Sequence, residues 1–206
     1  IVKEGAATLT LSGSNTYSGA TGLNDGAIYI SSTDNLGGAG EIIFNGGILS
    51  ASTYSNTITL NGNLQLGSGG GEINVVSATG YEVAIESSLN GSGNLTKSGA
   101  GTLSLAGDNS ATFTGNLIIS AGVVDLNDAN ALTAANDVQF TSGATLNLTL
   151  STTIGNLSGS SASSYIDLKS ASQTLSITQD TDYTYAGTIT GLGGIKLPFS
   201  NPANKS

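Results

Sequence analysis

The fold is decided by residues 97–126, KSGAGTLSLAGDNSATFTGNLIISAGVVDL. This stretch contains a glycine turn, a short strand with apolar residues at alternate positions (Leu103, Leu105), a polar turn and two further short strands. The same pattern occurs earlier in the chain, where residues 3–30 read KEGAATLTLSGSNTYSGATGLNDGAIYI. Self-similarity at a fixed period indicates a repeat architecture.

The two copies align over most of their length. Lys3 corresponds to Lys97 at an offset of 94 residues, and Tyr17 corresponds to Phe113 at an offset of 96, because the second copy has two extra residues before its aromatic. Residues 187–197 resemble residues 87–97 and begin a third copy. We therefore predict one segment over 1–197, with copies at about 3–96 and 97–186 and a partial third at 187–197. Residues 198–206 contain both prolines and are predicted to be an irregular tail.

The composition excludes several classes of function. The 206 residues have a formal net charge of −9, and the five basic residues are all lysines. Because nucleic acids and anionic membranes are bound by clustered Lys and Arg, we expect neither as a partner. Cys and His are absent, which excludes a disulfide framework, thiol chemistry and a serine–histidine triad.

The low content of charged residues, 9%, is typical of secreted or surface β proteins whose polar faces consist of Ser, Thr, Asn and Gly. No apolar run approaches the roughly 18 residues needed to span a bilayer as a helix. The sequence opens on IVKEG without a charged-then-apolar leader. We expect it to be an internal fragment of a longer protein.

The strand pattern predicts an all-β solenoid. Predicted strands have four or five residues with about two apolar side chains each, too few to build a core alone but sufficient when stacked in register. Coils of about 20 to 25 residues give a parallel β-helix of roughly eight to ten rungs, with glycine and asparagine at the corners. A β-sandwich would show similar alternation, but it gives no reason for a long internal repeat.

Comparison of the copies assigns the two faces of each strand. Ile43 in the first copy is replaced by Gln139 in the second, whereas the residues on either side stay apolar, so position 43 is predicted to point outward. The residues predicted to point inward are Leu9, Leu11, Ile28, Ile30, Ile42, Phe44, Val138 and Phe140. Thr8, Thr10 and Tyr29 are predicted to point outward.

One motif is shared by both copies and is specific. It consists of Gly99, Gly101, Thr102, Leu103, Leu105, Gly107, Asn109, Phe113, Gly115 and Gly122 in the second copy. In the first copy it consists of Gly5, Ala7, Thr8, Leu9, Leu11, Gly13, Asn15, Tyr17, Gly19 and Gly26. This motif resembles the passenger-associated repeat of bacterial autotransporters. The resemblance implies a right-handed parallel β-helix, exported through the outer membrane by a C-terminal β-barrel in the rest of the same chain.

No constellation of residues predicts catalysis, and we expect no catalytic residue, no cofactor and no metal site. Glu82 and Glu86 are spaced as a glycosidase pair on one strand face, but a solvated face is the simpler interpretation. Asp180 and Asp182 lack a third acidic neighbour for calcium. The aromatics at matching positions (Tyr17, Phe44, Phe113, Phe140) are predicted to be core residues. Tyr29, Tyr54 and Tyr81 lack such partners and are candidate surface contacts.

The resemblance implies a function outside the cell. We expect a non-catalytic stalk or scaffold for adhesion, secreted or held at the bacterial surface, which also aids export. Alternatively, the chain is itself an adhesive surface that binds a host glycan or protein, or associates with further copies of itself. A polysaccharide-active β-helix enzyme is a third hypothesis, weakened by the absence of Arg and the wide separation of the lysines.

Overall fold

A computed structural model describes residues 1–38, 40–52, 57–77 and 80–198. Over these residues the chain forms short strands and one turn of 3-10 helix, Thr33–Leu36, and every pairing between strands is parallel. Because a sandwich of this kind is built from antiparallel sheets, the pairing excludes it. In the described part of the chain, no helix has the length and apolar character required to cross a bilayer.

The strands lie on three faces that the chain visits in a fixed order. The first face holds β1 (Val2–Lys3), β3 (Thr21–Leu23), β5 (Ile42–Phe44), β8 (Leu64–Leu66) and β11 (Leu89–Gly91), and, in later coils, β18 (Thr152–Ile154), β21 (Thr174–Ile177) and β23 (Gly194–Lys196). The second holds β2 (Thr8–Thr10), β4 (Ala27–Ile30), β6 (Ile48–Ala51), β9 (Gly71–Val75), β12 (Leu95–Ser98), β14 (Leu117–Ile119), β16 (Val138–Phe140) and β19 (Leu157–Gly159). The third holds β7 (Ile58–Leu60), β10 (Glu82–Ile85), β13 (Thr102–Leu105), β15 (Val123–Leu126), β17 (Thr145–Leu148), β20 (Tyr165–Leu168) and β22 (Thr188–Gly191).

The predicted parallel β-helix is confirmed as a parallel β-solenoid of about nine turns. Its core is a set of apolar columns that run along the axis. On the second face, for example, Ile28 pairs with Leu49 and Leu49 with Ile73, and all three side chains are fully buried. Each short strand thus obtains a core from the coils above and below it.

The predicted division between inward and outward positions is confirmed over most of the chain. Six of the residues predicted to point inward are at most 4% exposed: Ile28, Ile30, Ile42, Phe44, Val138 and Phe140. Gln139, the outward position of β16, is exposed, and its counterpart Ile43 is half-buried.

Leu9 is more exposed than predicted. Leu9 pairs in register with the buried Ile28, yet it is 38% exposed. β2 is the edge strand of the second face and pairs with β4 alone, so no described coil covers the other side of Leu9. Leu11, in the same coil, is half-buried against the core.

The two sequence copies occupy different faces. From Lys3 the register passes through Leu23, Phe44 and Leu66 to Gly91, all on the first face. Lys97, the counterpart of Lys3, lies one strand further along the chain, in β12 on the second face. The repeat therefore spans four coils and one additional face, so equivalent residues are carried around the axis from one copy to the next.

The predicted irregular tail, 198–206, lies outside the described residues except for Pro198. The stack reaches β23, which pairs with β21 alone.

Candidate functional site

The lysine of the repeat is buried inside the solenoid, where a charged side chain is uncommon. Lys97 is 0% exposed, and its neighbours in register are Ile73 and Ile119. Its ammonium donates to Ser98 O at 2.6 Å and Gly99 O at 2.8 Å, and also to the next coil. There Ala121 O accepts at 3.2 Å. The lysine thus joins two successive corners.

Lys3 makes the equivalent contacts in the first copy. Its ammonium donates to the carbonyls of Glu4 and Gly5 in its own corner and to Asp25 O in the next coil, at 3.3 Å. Burial lowers the pKa of Lys97 to about 8, and the nearby Glu72 carboxylate opposes this shift. Both ammonium groups are fully engaged with backbone oxygens, an arrangement suited to structure more than to proton transfer.

The asparagine of the motif also connects coils. Asn109 is buried, accepts the Leu89 N–H through Oδ1 at 2.6 Å, and donates through Nδ2 to Ala131 O at 2.9 Å. Its counterpart Asn15 donates to Asn35 O at 2.7 Å. One side chain therefore satisfies backbone groups of the coils on both sides of it.

A ladder of side-chain oxygens follows the corner between the first and second faces. Asn94 Oδ1 accepts the Asn116 N–H at 3.0 Å, and Asn116 Oδ1 accepts the Asp137 N–H at 3.0 Å. Asp137 Oδ1 accepts the Asn156 N–H at 2.7 Å, and Asn156 Oδ1 accepts the Asp180 N–H at 3.1 Å. The first four of these residues each precede a second-face strand. The ladder therefore fixes the entry of the chain into that face over successive coils.

A shallow polar groove runs beside this ladder, and we call it the corner groove. Its upper part is lined by the ladder and by the outward side chains of the second face, namely Ile118, Gln139 and Ser158, with Tyr183 at one end. Its lower part continues past Thr96, Ser92 and Glu72 to Gly46, and the two parts share Asn94 and Ile118. The groove is thus continuous and parallel to the solenoid axis.

The acidic candidates from the sequence do not form a site. Glu82 in β10 is half-buried and accepts a hydrogen bond from Thr57 Oγ1 at 3.1 Å, whereas Glu86 lies beyond the end of the strand and is exposed. Asp180 and Asp182 are both exposed. Among residues 1–38, 40–52, 57–77 and 80–198, no three metal-ligating side chains lie together.

The three candidate surface tyrosines have different environments. Tyr29 is half-buried on the outward side of β4. Tyr81 is half-buried and packs against the hydrophobic core. Tyr54 lies outside the described residues.

The motif aromatics differ in burial between the copies. Phe113 is 1% exposed and forms a parallel bridge with Gly91. Its counterpart Tyr17 is half-buried, with its hydroxyl 2.8 Å from Thr21 Oγ1. Tyr185 occupies a similar place opposite Gly159, and its ring centroid lies 5.4 Å from that of Phe140. Burial raises the pKa of Tyr185 to about 12.

Three sequence signals for these features were overlooked. The triplet Gly-Asn-Leu occurs at residues 62–64, 93–95, 115–117 and 155–157, and the asparagines of the last three triplets belong to the ladder. Tyr185 and Gly187 repeat the aromatic-x-Gly spacing of Phe113 and Gly115. Lys97 follows Leu95 at the inward spacing of its strand, which marks it as a core position.

Comparisons with known proteins agree with this architecture. A family model described as passenger-associated-transport-repeat matches residues 1–30 and 95–126. The Adhesin BmaC autotransporter of Brucella suis biovar 1 (strain 1330) is 34% identical over 135 residues, covering 63% of this chain. The chain spans 4% of the length of that relative. No solved structure matches the chain. Both comparisons confirm the resemblance recognised in the two sequence copies: this β-solenoid is similar to the passenger-associated transport repeat over residues 1–30 and 95–126, and to an autotransporter adhesin over 135 residues.

Proposed function

We propose that this chain is a non-catalytic β-helix segment of a passenger that is secreted or exposed on the bacterial surface, where it acts as a stalk for adhesion. One observation carries the proposal: the buried polar side chains form hydrogen bonds from coil to coil, so these interior groups stabilise the stack. A rod of about nine turns at the strand spacing of ~4.8 Å is ~43 Å long, which suits a spacer.

The stacking also suggests how the segment aids export. Each coil presents in-register strands and unpaired corner groups on which the next coil is built, so folding can proceed coil by coil from one end. A coil that folds outside the membrane would oppose the return of the chain.

Circular dichroism and limited proteolysis of the purified 206-residue chain test the stalk. We expect a β-rich spectrum and a protease-resistant body, with an elongated particle in small-angle X-ray scattering. A helical spectrum or digestion throughout the chain would overturn the proposal. Release of reducing or unsaturated sugars from a polysaccharide panel would overturn its non-catalytic part.

A second function, adhesion by the segment itself, is favoured by the corner groove. The groove is continuous, polar and open along the axis, and it is not filled by the side chains that line it. The name of the matched relative describes that protein as an adhesin. Binding to a host glycan or protein, or to further copies of the chain, belongs to this second proposal.

A further inference from the structure

The corner groove has the dimensions of an extended polymer site. It reaches from Gly46, before β6, past β9, β12, β14, β16 and β19 to Tyr183 in the following coil. At a strand spacing of ~4.8 Å, this distance is ~29 Å along the axis. The upper part of this groove presents one ladder residue per coil, from Asn94 to Asn156, which fits a ligand that is itself linear and periodic.

The ladder leaves polar atoms unused on its groove side. Asn94 and Asn116 use Oδ1 within the ladder, but among the described residues nothing accepts from their Nδ2 groups. Likewise, no described residue donates to Asp137 Oδ2. Gln139 is exposed beside them and makes no side-chain hydrogen bond within the described part of the chain. The groove therefore presents the amide donors of Asn94 and Asn116 and, in the next coil, the carboxylate acceptor of Asp137, a combination that pairs with hydroxyl groups, which both donate and accept.

The charge of the groove selects against anionic ligands. Its charged lining groups are the carboxylates of Glu72 and Asp137, and no lysine lines either part. The whole chain has a formal net charge of −9. A polymer of uronate or sulfate groups would be repelled, whereas an uncharged polymer would not.

An aromatic platform stands at one end. Tyr183 is 52% exposed and lines the groove, so its ring is available to stack on the apolar face of a ring-shaped ligand. The half-buried Ile118 offers a second apolar contact near the middle. Apolar contacts beside hydrogen-bonding groups suit a pyranose, which has an apolar C–H face and a rim of hydroxyl groups.

We propose that the corner groove binds a neutral glycan chain laid along the solenoid axis, with Tyr183 stacking on one sugar and the side-chain groups of Asn94, Asn116, Asp137 and Gln139 bonding to hydroxyls. The proposal rests on the second, adhesive function and is independent of the stalk. A folded, protease-resistant chain that binds no sugar would overturn the glycan site alone.

The test uses the 206-residue chain and defined probes. Neutral hexasaccharides of β1,4-glucose, β1,3-glucose, β1,4-xylose, β1,4-N-acetylglucosamine and α1,4-glucose are titrated by calorimetry and by NMR of the asparagine and glutamine side-chain amides. We expect at least one probe to bind and to shift the Asn94, Asn116 and Gln139 amide signals. A hexamer of galacturonate is the anionic comparison and should bind at least tenfold more weakly.

Variants locate the site. Tyr183→Ala and Gln139→Ala remove exposed side chains that make no ladder bond, and each should weaken binding at least fivefold without changing the thermal midpoint. Tyr165→Ala is the matched control, because Tyr165 is 46% exposed on the third face, away from the groove. Failure of all five neutral probes, tighter binding of galacturonate, or equal affinity of the groove variants and wild type would each overturn the proposal.

Discussion

Lys97 shows how a single buried cation serves this fold. A lysine placed between Ile73 and Ile119 loses its hydration, which is costly unless its charge is satisfied. Three backbone carbonyls from two coils satisfy it. The same bonds supply donors to corner carbonyls that a strand ladder cannot reach. An apolar residue at position 97 would fill the column but would leave these oxygens without a donor.

The protonation of Lys97 gives a pH-dependent stability. Its folded pKa is about 8, against 10.5 for an unperturbed lysine, so the unfolded chain binds more protons between these values. The free energy of unfolding should therefore rise from pH 8 toward pH 10, by about 3 kcal/mol at most. Above pH 10 the raised pKa of Tyr185 works in the opposite direction, because the folded state then holds the extra proton. Urea denaturation at pH 7.5, 8.5 and 9.5 measures the rise.

Lys97→Met is the control for this effect. It removes the titrating group while keeping a long side chain in the column, so the rise between pH 8 and 9.5 should disappear. An equal rise in wild type and Lys97→Met would assign the pH dependence to other groups.

At the scale of the element, the same motif glycine has a different role in each copy. A methyl group on Gly115 would overlap the carbonyl oxygen of Gly93 in the adjacent coil, whereas a methyl group on the equivalent Gly19 would meet nothing within 4 Å. Neither glycine has a positive φ, so the difference comes from packing alone. Gly115→Ala should destabilise the chain by about 2 kcal/mol, and Gly19→Ala should be neutral or slightly stabilising. Equal thermal midpoints for the two variants would show that the coils are not in close contact.

Each hydrogen bond of the corner ladder should contribute separately to the free energy of unfolding. Asn116→Ala removes the acceptor of the Asp137 N–H and should cost about 1 to 2 kcal/mol in urea denaturation. Asn24→Ala is the matched control, because Asn24 is exposed and its side chain bonds to no described residue. We expect it to change stability by less than about 0.5 kcal/mol. A loss of similar size in both variants would contradict a specific role for the ladder.

The sequence predicted the elements better than their arrangement. Inward and outward positions followed from comparing Ile43 with Gln139, because a strand keeps its two-residue alternation in every copy. The face that each copy occupies depends on the total length of all the corners before it. A local sequence pattern does not give that total, so the face could not be predicted. The spacing of Lys97 to Leu95 indicates its burial, but its bond to Ala121 O in the next coil and the corner groove could not be predicted, because only the register brings residues of neighbouring coils together.

The whole molecule has no single centre. Each strand contacts its own neighbours in the column, and the terminal strands β1, β2, β22 and β23 pair on one side only. Their apolar side chains are correspondingly open, with Val2 in β1 65% and Ile195 in β23 48% exposed. In such a linear stack, local unfolding should begin at the ends, where a coil loses one interface, and should meet a higher cost in the middle.

Hydrogen exchange measured by mass spectrometry on the intact chain tests this gradient. We expect the slowest exchange in β9, β12, β14 and β16, which have partners on both sides and lie far from the ends, and the fastest in β1, β2, β22 and β23, which pair on one side only. Leu117→Ala, at a fully buried central position, should cost about 2 to 5 kcal/mol and should speed exchange first in the coils next to it. Leu192→Ala, at an exposed terminal position, should leave the central strands unchanged. Uniform protection from one end to the other would mean that the coils unfold as one cooperative unit, contrary to a stack stabilised by nearest neighbours.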